Sequence, residues 1–402
     1  MNILLLCNKP PYPPKDGGAF AVLNMATDLV HLGHSVTILA VSTQKHTTRP
    51  DQIPAAISQL IDFHFVEINT EISLKAILLN LLLSQTPYIA DRFKSDQYRD
   101  ELIKLLQQKE FDIVQLEGPY LSHYIPEIRN YSKARLSYRA HNIEHEIWKR
   151  KARIELNLIK RIYLFILARR IRRFESALIN QYDLLVPITQ RDLDTLTRMG
   201  NTKPACIAPF GINLDSISKL TVSPMYPSLF YLGALDWMPN QEGLKWFIQK
   251  VWPELHQKYP ALEFHVAGRN APEFMIRLFQ QPGIRFHGEI DKSAEYLQKW
   301  AIMISPIFAG SGMRVKIVEG MALGKVIVTT TIGTEGISTT HQKNIFIADS
   351  REGFIKYLSR LIDNKELFEE VSNNAILFSQ QHFDNKKIIQ ELSRFYQGSN
   401  DK

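Results

Sequence analysis

The sequence predicts an α/β protein with two doubly wound domains that face each other across a cleft. Short apolar runs alternate with helical patterns along the whole chain, as in parallel sheets with crossover helices. The length of 402 residues suits two domains of about 200 residues each. We therefore expect an N-terminal domain over 1–210, a linker containing proline and serine over 211–227, and a C-terminal domain over 228–402. The final helix could pack back on the N-terminal domain.

The N-terminal half is predicted from apolar runs that end at turn-forming residues. A helix over about Gly18–Leu32 follows the first run, and Gly33 ends it, since glycine readily takes the left-handed conformation found after a helix. The strands of this half are predicted near Asn2–Cys7, Ser35–Val41, Phe63–Glu67, Asp112–Leu116, Ala134–Tyr138, Leu184–Pro187 and Ala205–Ala208.

The C-terminal half continues the alternation of strands and helices after the linker. From Arg351 onward the chain has helical periodicity. The strands of this half are predicted near Ser228–Leu232, Glu263–Ala267, Ile284–His287, Ile302–Pro306, Val326–Thr330 and Asn344–Ile347.

The composition favours a protein that stays in the compartment where it is made. Hydrophobic residues make up 45% of the chain, as in globular proteins, and the two cysteines, Cys7 and Cys206, offer neither a disulfide framework nor a metal-binding spacing. The apolar run Ile3–Cys7 is too short for a signal peptide, and no run reaches the roughly 20 apolar residues that cross a bilayer. We expect a cytoplasmic protein, which could also lie peripherally on the inner face of the cell membrane.

The positive charge is concentrated in one segment. Residues 146–175 contain ten Lys or Arg against three Glu, a net charge equal to the +7 of the whole chain. The remainder is near neutral, which argues against a nucleic-acid partner. Within 148–174, apolar residues recur at spacings of three and four among the cations, as in helices that lie on anionic membranes. Alternatively, this apolar face packs on the N-terminal sheet and the basic face is only solvated.

The stretch Ile304–Gly336 carries the strongest functional signal. It reads as an apolar strand, a glycine turn, an amphipathic helix and a second strand that ends in another glycine turn. A helix N-terminus offers unpaired N–H groups and partial positive charge, and Arg314 and Lys316 add cations there. Glu319 follows on the same helix face and suits a pair of sugar hydroxyls. This combination predicts a nucleotide-sugar site, and the alternative is an ordinary amphipathic helix with solvated charges.

The turns at either end of this stretch supply further candidates. Ser311 is expected to cap the helix, and Gly312 allows a phosphate to approach closely. Gly333–Gly336 is expected to add backbone N–H groups, and Thr334 adds a hydroxyl near the same site.

Other candidates lie where predicted strands end, the edge at which doubly wound sheets bind ligands. Gly17 and Gly18 open a helix after a proline-rich loop, so a ligand could approach their backbone closely. His141 follows the fifth strand and could bind a sugar hydroxyl or developing charge. Arg269, with its neighbour Asn270, could contact phosphate or base. Each has a structural alternative, which is a plain turn before a helix, a structural histidine or a surface turn.

With these motifs the chain resembles the retaining glycosyltransferases of glycosyltransferase family 4, which have the GT-B fold of two Rossmann-like domains. Among them it looks most similar to bacterial sugar transferases of exopolysaccharide or surface-glycan assembly. The resemblance runs over almost the whole chain. It is carried by the Gly17-Gly18 loop, RAHNIEHEIWKR (Arg139–Arg150), PFGIN (Pro209–Asn213), YLGALDWMPNQEGLKWF (Tyr231–Phe247), VAGRN (Val266–Asn270), SGMRVKIVEGMALGK (Ser311–Lys325) and GTEGI (Gly333–Ile337).

The chain departs from the family pattern at two places. Most members carry paired glutamates eight positions apart, of which Glu319 matches the second, while Ser311 stands in place of the first. The Arg and Lys that usually clamp the diphosphate after the strand ending at Gly233 are absent. We infer that Arg314 and Lys316 take over this cationic task. Sugar recognition would then pass to the backbone N–H groups of Gly312 and Met313.

The resemblance implies transfer of a sugar from a UDP- or GDP-sugar to a glycan or lipid-linked acceptor. It implies retention at the anomeric carbon, with no metal and no cofactor. Arg314 and Lys316 would stabilise the leaving diphosphate, while the acceptor hydroxyl attacks from the leaving-group face and its proton passes to the phosphate. His141 would contact the donor sugar, and Glu319 the ribose hydroxyls.

Three other classes remain open. A non-hydrolysing sugar-nucleotide epimerase shares the two-domain architecture but would need acid/base carboxylates that the sequence does not locate. A catalytically inactive carbohydrate-binding or scaffold protein is compatible with the missing first glutamate. A nicotinamide dehydrogenase is disfavoured because the first loop lacks the GxGxxG fingerprint. Asp192 and Asp194 have an Asp-x-Asp spacing, but TQRDLDTL is typical of a helix start with solvated charges rather than of a metal site.

Overall fold

A computed structural model describes residues 1–14, 17–44, 47–71, 73–214, 223–290, 293–309 and 312–398. The chain divides into two compact units. One, here called the N-terminal domain, contains Met1–Phe210 and the chain from Asn385 onward, and the other, the C-terminal domain, contains Gly211–Asp384.

The N-terminal domain is built on a six-stranded sheet whose neighbouring strands are all parallel. Its strands are β1 (Asn2–Cys7), β2 (Ser35–Ser42), β3 (Ile61–Glu67), β4 (Ile113–Glu117), β5 (Arg135–Ala140) and β6 (Leu184–Pro187). They lie in the order β3-β2-β1-β4-β5-β6, so the chain reverses its direction of winding between β1 and β4. Ligands of doubly wound sheets bind at such a reversal.

Helices connect these strands. They are α1 (Gly17–His31), α2 (Ala55–Ser58), α3 (Leu74–Leu83), α4 (Tyr88–Asp91), α5 (Asp96–Gln108), α6 (Ile125–Tyr131), α7 (Glu144–Ile154), α8 (Leu158–Leu178) and α9 (Gln190–Arg198). Both faces of the sheet are covered by them. In β1, Leu4 and Leu6 join one core, whereas Ile3, Leu5 and Cys7 join the other. Because successive strand residues point to opposite faces, a strand buried on both sides reads as one continuous apolar run.

The C-terminal domain repeats this plan with a second parallel sheet, in the order β12-β11-β10-β7-β8-β9. Its strands are β7 (Met225–Leu232), β8 (Phe264–Ala267), β9 (Ile284–Phe286), β10 (Trp300–Ser305), β11 (Val326–Thr329) and β12 (Phe346–Ile347). Its helices are α10 (Met238–Trp246), α11 (Trp252–Lys258), α12 (Glu273–Leu278), α13 (Ser293–Lys299), α14 (Val315–Ala322), α15 (Arg351–Asp363) and α16 (Lys365–His382). A π-helical turn, Phe247–Val251, joins α10 to α11.

The final helix, α17 (Asn385–Gln397), belongs to the N-terminal domain. Its residues Ile389 and Leu392 are buried in the same core as Ile3 of β1. On its polar side, Ser393 Oγ lies 2.7 Å from Nε2 of His34. The helix therefore forms part of one covering layer of the first sheet.

The predicted α/β architecture of two doubly wound domains is confirmed, but the strand predicted at Ala205–Ala208 is wrong. This segment forms a single bridge, between Leu185 and Ala205, beside β6. The Ala208 N–H donates to the Pro187 carbonyl at 2.9 Å. Proline has no N–H to return a bond, so the ladder stops there. Among the residues described, no helix is both long and apolar enough to span a bilayer.

Candidate functional site

The loops that follow β7 and β8 support each other at the carboxyl edge of the C-terminal sheet. The Leu235 N–H donates to the Arg269 carbonyl at 2.9 Å. Asn270, with φ of +54°, turns its amide back so that Nδ2 donates to Asp236 at 3.0 Å. A Cβ on Gly268 would come within 1.9 Å of the neighbouring Gly233 carbonyl, so only glycine permits this approach. Arg269, a predicted site residue, thus lies in a turn that is fixed to the loop after β7.

The predicted phosphate-binding helix, α14, follows β10 and begins at Val315, with Arg314 as its N-cap. The expectation that Ser311 caps the helix is wrong, and Ser311 itself lies outside the described residues. Gly312 has φ of +81°, and a residue in the left-handed region cannot belong to a right-handed helix. The helix therefore starts beyond it, and the buried Met313 leads into the cap.

Arg314 is held against the turn that follows β7. Its Nη1 donates to the Gly312 carbonyl at 2.9 Å, and its guanidinium carbon lies 5.6 Å from the centre of the Trp237 ring. A guanidinium stacked on an aromatic ring loses few degrees of freedom and keeps its positive charge. The structure thus brings Arg314 to the turn after β7, which itself contains no Arg or Lys. Trp237 was not among the predicted site residues, although it lies in the quoted motif Tyr231–Phe247.

Lys316 and Glu319 form an ion pair on the first turns of α14. Lys316 Nζ lies 2.8 Å from Oε2 of Glu319, and Ser293 donates to Oε1 at 3.3 Å. Both predicted residues therefore lie on one helix face. Because a guanidinium can bind a phosphate through two parallel hydrogen bonds, Arg314 is the stronger candidate for a diphosphate.

In the glycine turn after β11, Gly333–Gly336, some N–H and O–H groups form hydrogen bonds with the residues just before them. The Gly333 N–H donates to Thr330 at 3.1 Å, and the Glu335 N–H donates to the Ile332 carbonyl at 3.3 Å. The hydroxyl of Thr334 donates to the Thr331 carbonyl at 2.9 Å. The expectation that this whole turn presents N–H groups to a ligand is therefore wrong for Gly333 and Glu335, because the turn closes on itself.

In the N-terminal domain, His141 lies just beyond β5 and contacts a buried carboxylate at the end of β4. Nε2 of His141 lies 2.5 Å from Oε2 of Glu117. The second oxygen of Glu117 accepts a hydrogen bond from Gln115 at 2.5 Å. Glu117 was missed from the sequence, although an acidic residue before Gly118-Pro119 at the end of an apolar strand was a usable signal.

Arg139 makes Glu117 part of a charged cluster. The two side chains are almost wholly buried, and Arg139 Nη1 lies 3.8 Å from Oε2 of Glu117. Burial alone would raise the pKa of Glu117, but the Arg139 guanidinium and the hydrogen bonds from His141 and Gln115 hold that pKa below its usual value. Glu117 is therefore ionised and accepts a hydrogen bond from His141.

Helix α7, which follows His141, is fixed at its N-terminus by Glu175 of α8. The two oxygens of Glu175 accept from the N–H groups of Glu144 and His145, at 2.7 and 3.0 Å, and Oε2 also lies 2.6 Å from Nδ1 of His145. A carboxylate at this end satisfies orphan N–H groups and the helix dipole. The segment from His141 to the start of α7 is thus fixed by Glu117 at one end and by Glu175 at the other.

Gly17 and Gly18 form the first turn of α1, which begins after the loop that follows β1. The preceding residues Lys15 and Asp16 lie outside the described residues. Farther along α1, Met25 Sδ lies 2.9 Å from Arg139 Nη1. The helix that the glycines open therefore reaches the cluster around Glu117.

The Asp192–Asp194 pair lies in α9, as its helical pattern indicates, but Asp192 is not solvated. Its carboxylate accepts from the hydroxyl of Thr189, the N-cap residue, at 2.8 Å and is buried. Within the described part of the chain, no three His, Cys, Asp or Glu side chains are grouped so that they could hold a metal ion.

Comparisons with known proteins identify the class. Residues 226–364 match the family model described as glycosyl transferases group 1. An uncharacterised 44.6 kDa protein in the cps region of Klebsiella pneumoniae is 24% identical over 404 residues, which cover 97% of this chain and 98% of the relative. The matched model supports assignment of the chain to the glycosyltransferase class.

Solved structures share the fold over the full length. Sucrose-phosphate synthase from Thermosynechococcus elongatus is similar with a TM-score of 0.72 and 13% identity, over 99% of each chain. Anabaena HepE, solved in complex with UDP, is similar with a TM-score of 0.64 and 13% identity, over 99% of this chain and 100% of that one. The fold of the chain is therefore that of GT-B glycosyltransferases.

Proposed function

We propose that the chain is a retaining, metal-independent hexosyltransferase of glycosyltransferase family 4. It transfers a sugar from a UDP- or GDP-sugar to a glycan or lipid-linked acceptor in polysaccharide biosynthesis. The observation that carries this proposal is the stacking of Arg314 on Trp237 at the N-terminus of α14. A fixed cation and a helix N-terminus together favour the negative charge that develops on a leaving diphosphate.

The neighbouring side chains have matching roles in this proposal. Glu319 accepts hydrogen bonds from ribose hydroxyls, since a carboxylate has about four acceptor positions and Lys316 and Ser293 use only two of them. Backbone N–H groups near Gly312 and Met313 contact the phosphate or sugar. His141, oriented by Glu117, contacts the donor sugar.

The reaction needs no protein nucleophile. The acceptor oxygen bonds to the anomeric carbon on the face from which the diphosphate departs, while the bond between that carbon and the phosphate oxygen breaks. The acceptor proton passes to the departing phosphate. Arg314 stabilises the charge that this bond breaking leaves on the diphosphate.

Two comparisons support a nucleotide-sugar donor. The group 1 model covers the domain that contains Arg314 and Glu319. Anabaena HepE has been solved with UDP-glucose as well as with UDP, which supports a UDP-sugar as the first donor to test. A lipid-linked acceptor would place the enzyme at the inner face of the cell membrane.

A panel of nucleotides and nucleotide sugars tests the proposal. We expect UDP or GDP, and one of their sugars, to raise the melting temperature, because a ligand at 100 times its Kd adds about 2.7 kcal/mol to stability. Labelled donor should then be consumed only when acceptor is present, and NMR of the product should show the anomeric configuration of the donor. Conversion of the donor sugar without acceptor would instead identify an epimerase. Binding without any turnover of acceptor or donor would identify an inactive binding protein.

A further inference from the structure

A cavity of about 810 Å³ lies in the C-terminal domain, at the opposite edge of the sheet from Arg314. Its walls come from the start of β7, the turn after α14 and one face of α16. Lys325 directly precedes β11 and so lies at the amino edge of the parallel sheet, whereas Arg314 follows β10 at the carboxyl edge. Sites for small molecules typically have volumes of about 300–1,000 Å³. The cavity is therefore large enough for a ligand and distinct from the proposed donor site.

Lys325 brings a buried cation to this cavity. The residue is 2% exposed, and its Nζ donates to the Gln298 carbonyl at 3.1 Å. An ammonium has three N–H donors, and within the described part of the chain Lys325 uses one of them. Burial lowers the pKa of Lys325 from 10.5 to about 8, and no carboxylate among the described residues offsets this effect. The cation therefore has unused donors and lacks a counter-charge in this part of the chain.

Gln298, in the last turn of α13, supplies a second buried donor in the same wall. It lines the cavity and is 7% exposed. Its side-chain Nε2 is buried and has no hydrogen-bond acceptor among the residues that the structure describes. A buried N–H group without an acceptor is destabilising, and such groups are rare in native proteins. Two neighbouring side chains therefore have buried N–H groups for which the described residues provide no acceptor.

The turn that carries Lys325 is fixed against α16. Gly324 has φ of +69°, and a Cβ at this position would come within 3.0 Å of both Ser372 Oγ and Ile376 Cδ1. Ser372 Oγ donates to the Gly324 carbonyl at 2.6 Å. Glycine thus permits both the left-handed turn after α14 and the close approach of α16. The backbone that positions the cation is therefore set by the fold before any ligand binds.

The rim of the cavity adds polar groups from α16. Lys365 Nζ lies 3.5 Å from Oε1 of Glu369, one turn along the helix, and both side chains are exposed. Asn373 follows one turn later and also lines the cavity. The two lysines and one glutamate of the lining leave it with a net charge of +1. Because Lys365 pairs with Glu369, the excess charge is that of the buried Lys325.

We propose that this cavity binds a compact oxyanion, a phosphate ester or a carboxylate, whose oxygens accept hydrogen bonds from Lys325 Nζ and Gln298 Nε2. An anionic oxygen forms a charge-assisted hydrogen bond with the ammonium and also accepts from the buried amide. A neutral ligand would leave the ammonium without a counter-charge, and a cation would be repelled by it. The inference does not depend on the sugar transfer proposed above, because the cavity shares no residue with the proposed donor site.

Titration calorimetry and thermal shift on the full chain test the binding. Inorganic phosphate, glycerol 3-phosphate and citrate are each compared with sodium chloride at matched ionic strength. We expect at least one of the three to raise the melting temperature, because a ligand that binds only the folded state stabilises it. The oxyanion that responds distinguishes a phosphate group from carboxylates. The same response is expected in Arg314→Ala, which lacks the cation of the proposed donor site.

Two variants remove the two buried donors one at a time. Lys325→Met should weaken oxyanion binding at least about tenfold, the usual effect of losing a hydrogen bond to a charged group. Gln298→Leu should weaken it about fivefold, since its donor is neutral. Lys325→Met should fold, because it replaces a buried charge with an apolar side chain of similar length. Lys343→Met is the matched control, since Lys343 is an exposed lysine of the same domain that does not line the cavity.

Three results would overturn the proposal. One is an oxyanion affinity in Lys325→Met equal to that of the wild type and of Lys343→Met. Another is the absence of stabilisation of the wild type by any of the three oxyanions, which would leave Lys325 only as a cap for the carbonyl of Gln298 at the end of α13. The third is binding that Arg314→Ala abolishes and Lys325→Met retains, which would assign the oxyanion to the N-terminus of α14.

Discussion

Oε2 of Glu117, at the end of β4, lies 2.5 Å from Nε2 of His141, which follows β5. The two residues come from neighbouring parallel strands, so the sheet itself fixes their separation. Because the ionised carboxylate can only accept, the proton of the pair lies on Nε2 of His141. A buried carboxylate thus sets both the tautomer and the ring orientation of a histidine at the carboxyl edge of its sheet.

Glu117→Gln should destabilise the fold and impair catalysis. The change leaves the Arg139 guanidinium buried beside an uncharged amide, and losing one partner of a buried ion pair costs about 3–5 kcal/mol. Urea unfolding measures the loss, with Glu110→Gln at an exposed position as control. In enzyme that remains folded, kcat should fall more than donor affinity, and Glu117→Asp should restore part of it. Wild-type stability in Glu117→Gln would contradict the assignment.

Stability should decrease between roughly pH 4.5 and pH 7 because of Glu144. Burial, with a contribution from the Glu175 charge, raises its pKa from the ordinary 4.5 to about 7, against the hydrogen bond from Tyr120. In this range the folded state keeps a proton that the unfolded state has released, so the free energy of unfolding falls as pH rises and levels off above about pH 7.

The variant Glu144→Gln tests this directly. It keeps an acceptor for Tyr120, whose hydroxyl donates to Glu144 at 2.6 Å. The difference in unfolding free energy between variant and wild type, measured across this pH range, should grow in favour of the variant. A difference that is flat with pH, like that expected for Glu110→Gln, would contradict the raised pKa.

Arg314→Ala should lower the rate of transfer by about 10²–10³-fold, the usual cost of losing one preorganised donor to developing charge. Lys316→Ala should be milder, because Lys316 already pairs with Glu319 at 2.8 Å. Trp237→Ala should lie between them, since it removes only the ring on which the guanidinium stacks. Steady-state kinetics with saturating acceptor measures the order, and equal effects of Lys316 and Arg314 would contradict it.

Transfer should continue in the presence of excess chelator. In the proposed site the charge on the diphosphate is balanced by Arg314 and the α14 N-terminus, which need no ion. A rate that EDTA abolishes and Mg²⁺ or Mn²⁺ restores would contradict the proposed mechanism. A thermal-shift measurement with nucleotide, with and without chelator, separates loss of binding from loss of chemistry.

Most strands could be predicted from the sequence because they are buried along nearly their whole length. Leu184–Pro187 was located to the residue, and Asn2–Cys7 likewise. The wrong strand at Ala205–Ala208 has a local cause. The apolar run there predicts a strand, but Pro187 in the neighbouring strand lacks the N–H that would continue the ladder. Whether an apolar run forms a strand depends on the strand beside it, and the run alone does not show which strand that is.

Several residues of the candidate site could be predicted from the sequence, but most of the contacts between them could not. Arg314 and Glu319 were identified from helix spacing, whereas the contact of Arg314 with Trp237 joins loops 77 residues apart in number. The same limit applies to Glu117, whose role depends on the proximity of β4 to β5. The periodicity of 148–174 also contains two apolar stripes, and only packing shows that the one with Leu164, Leu167 and Ile171 is buried.

The packing of α17 on the first sheet has a consequence for synthesis of the chain and for the expression of single domains. The face of the sheet that holds Ile3 is covered by α1 together with α17, so this covering layer stays incomplete until residues 385–397 have been synthesised. A fragment that ends at Phe210 should expose the apolar residues that α17 covers, and it should therefore aggregate. Joining residues 385–398 to such a fragment through a flexible linker should restore its solubility.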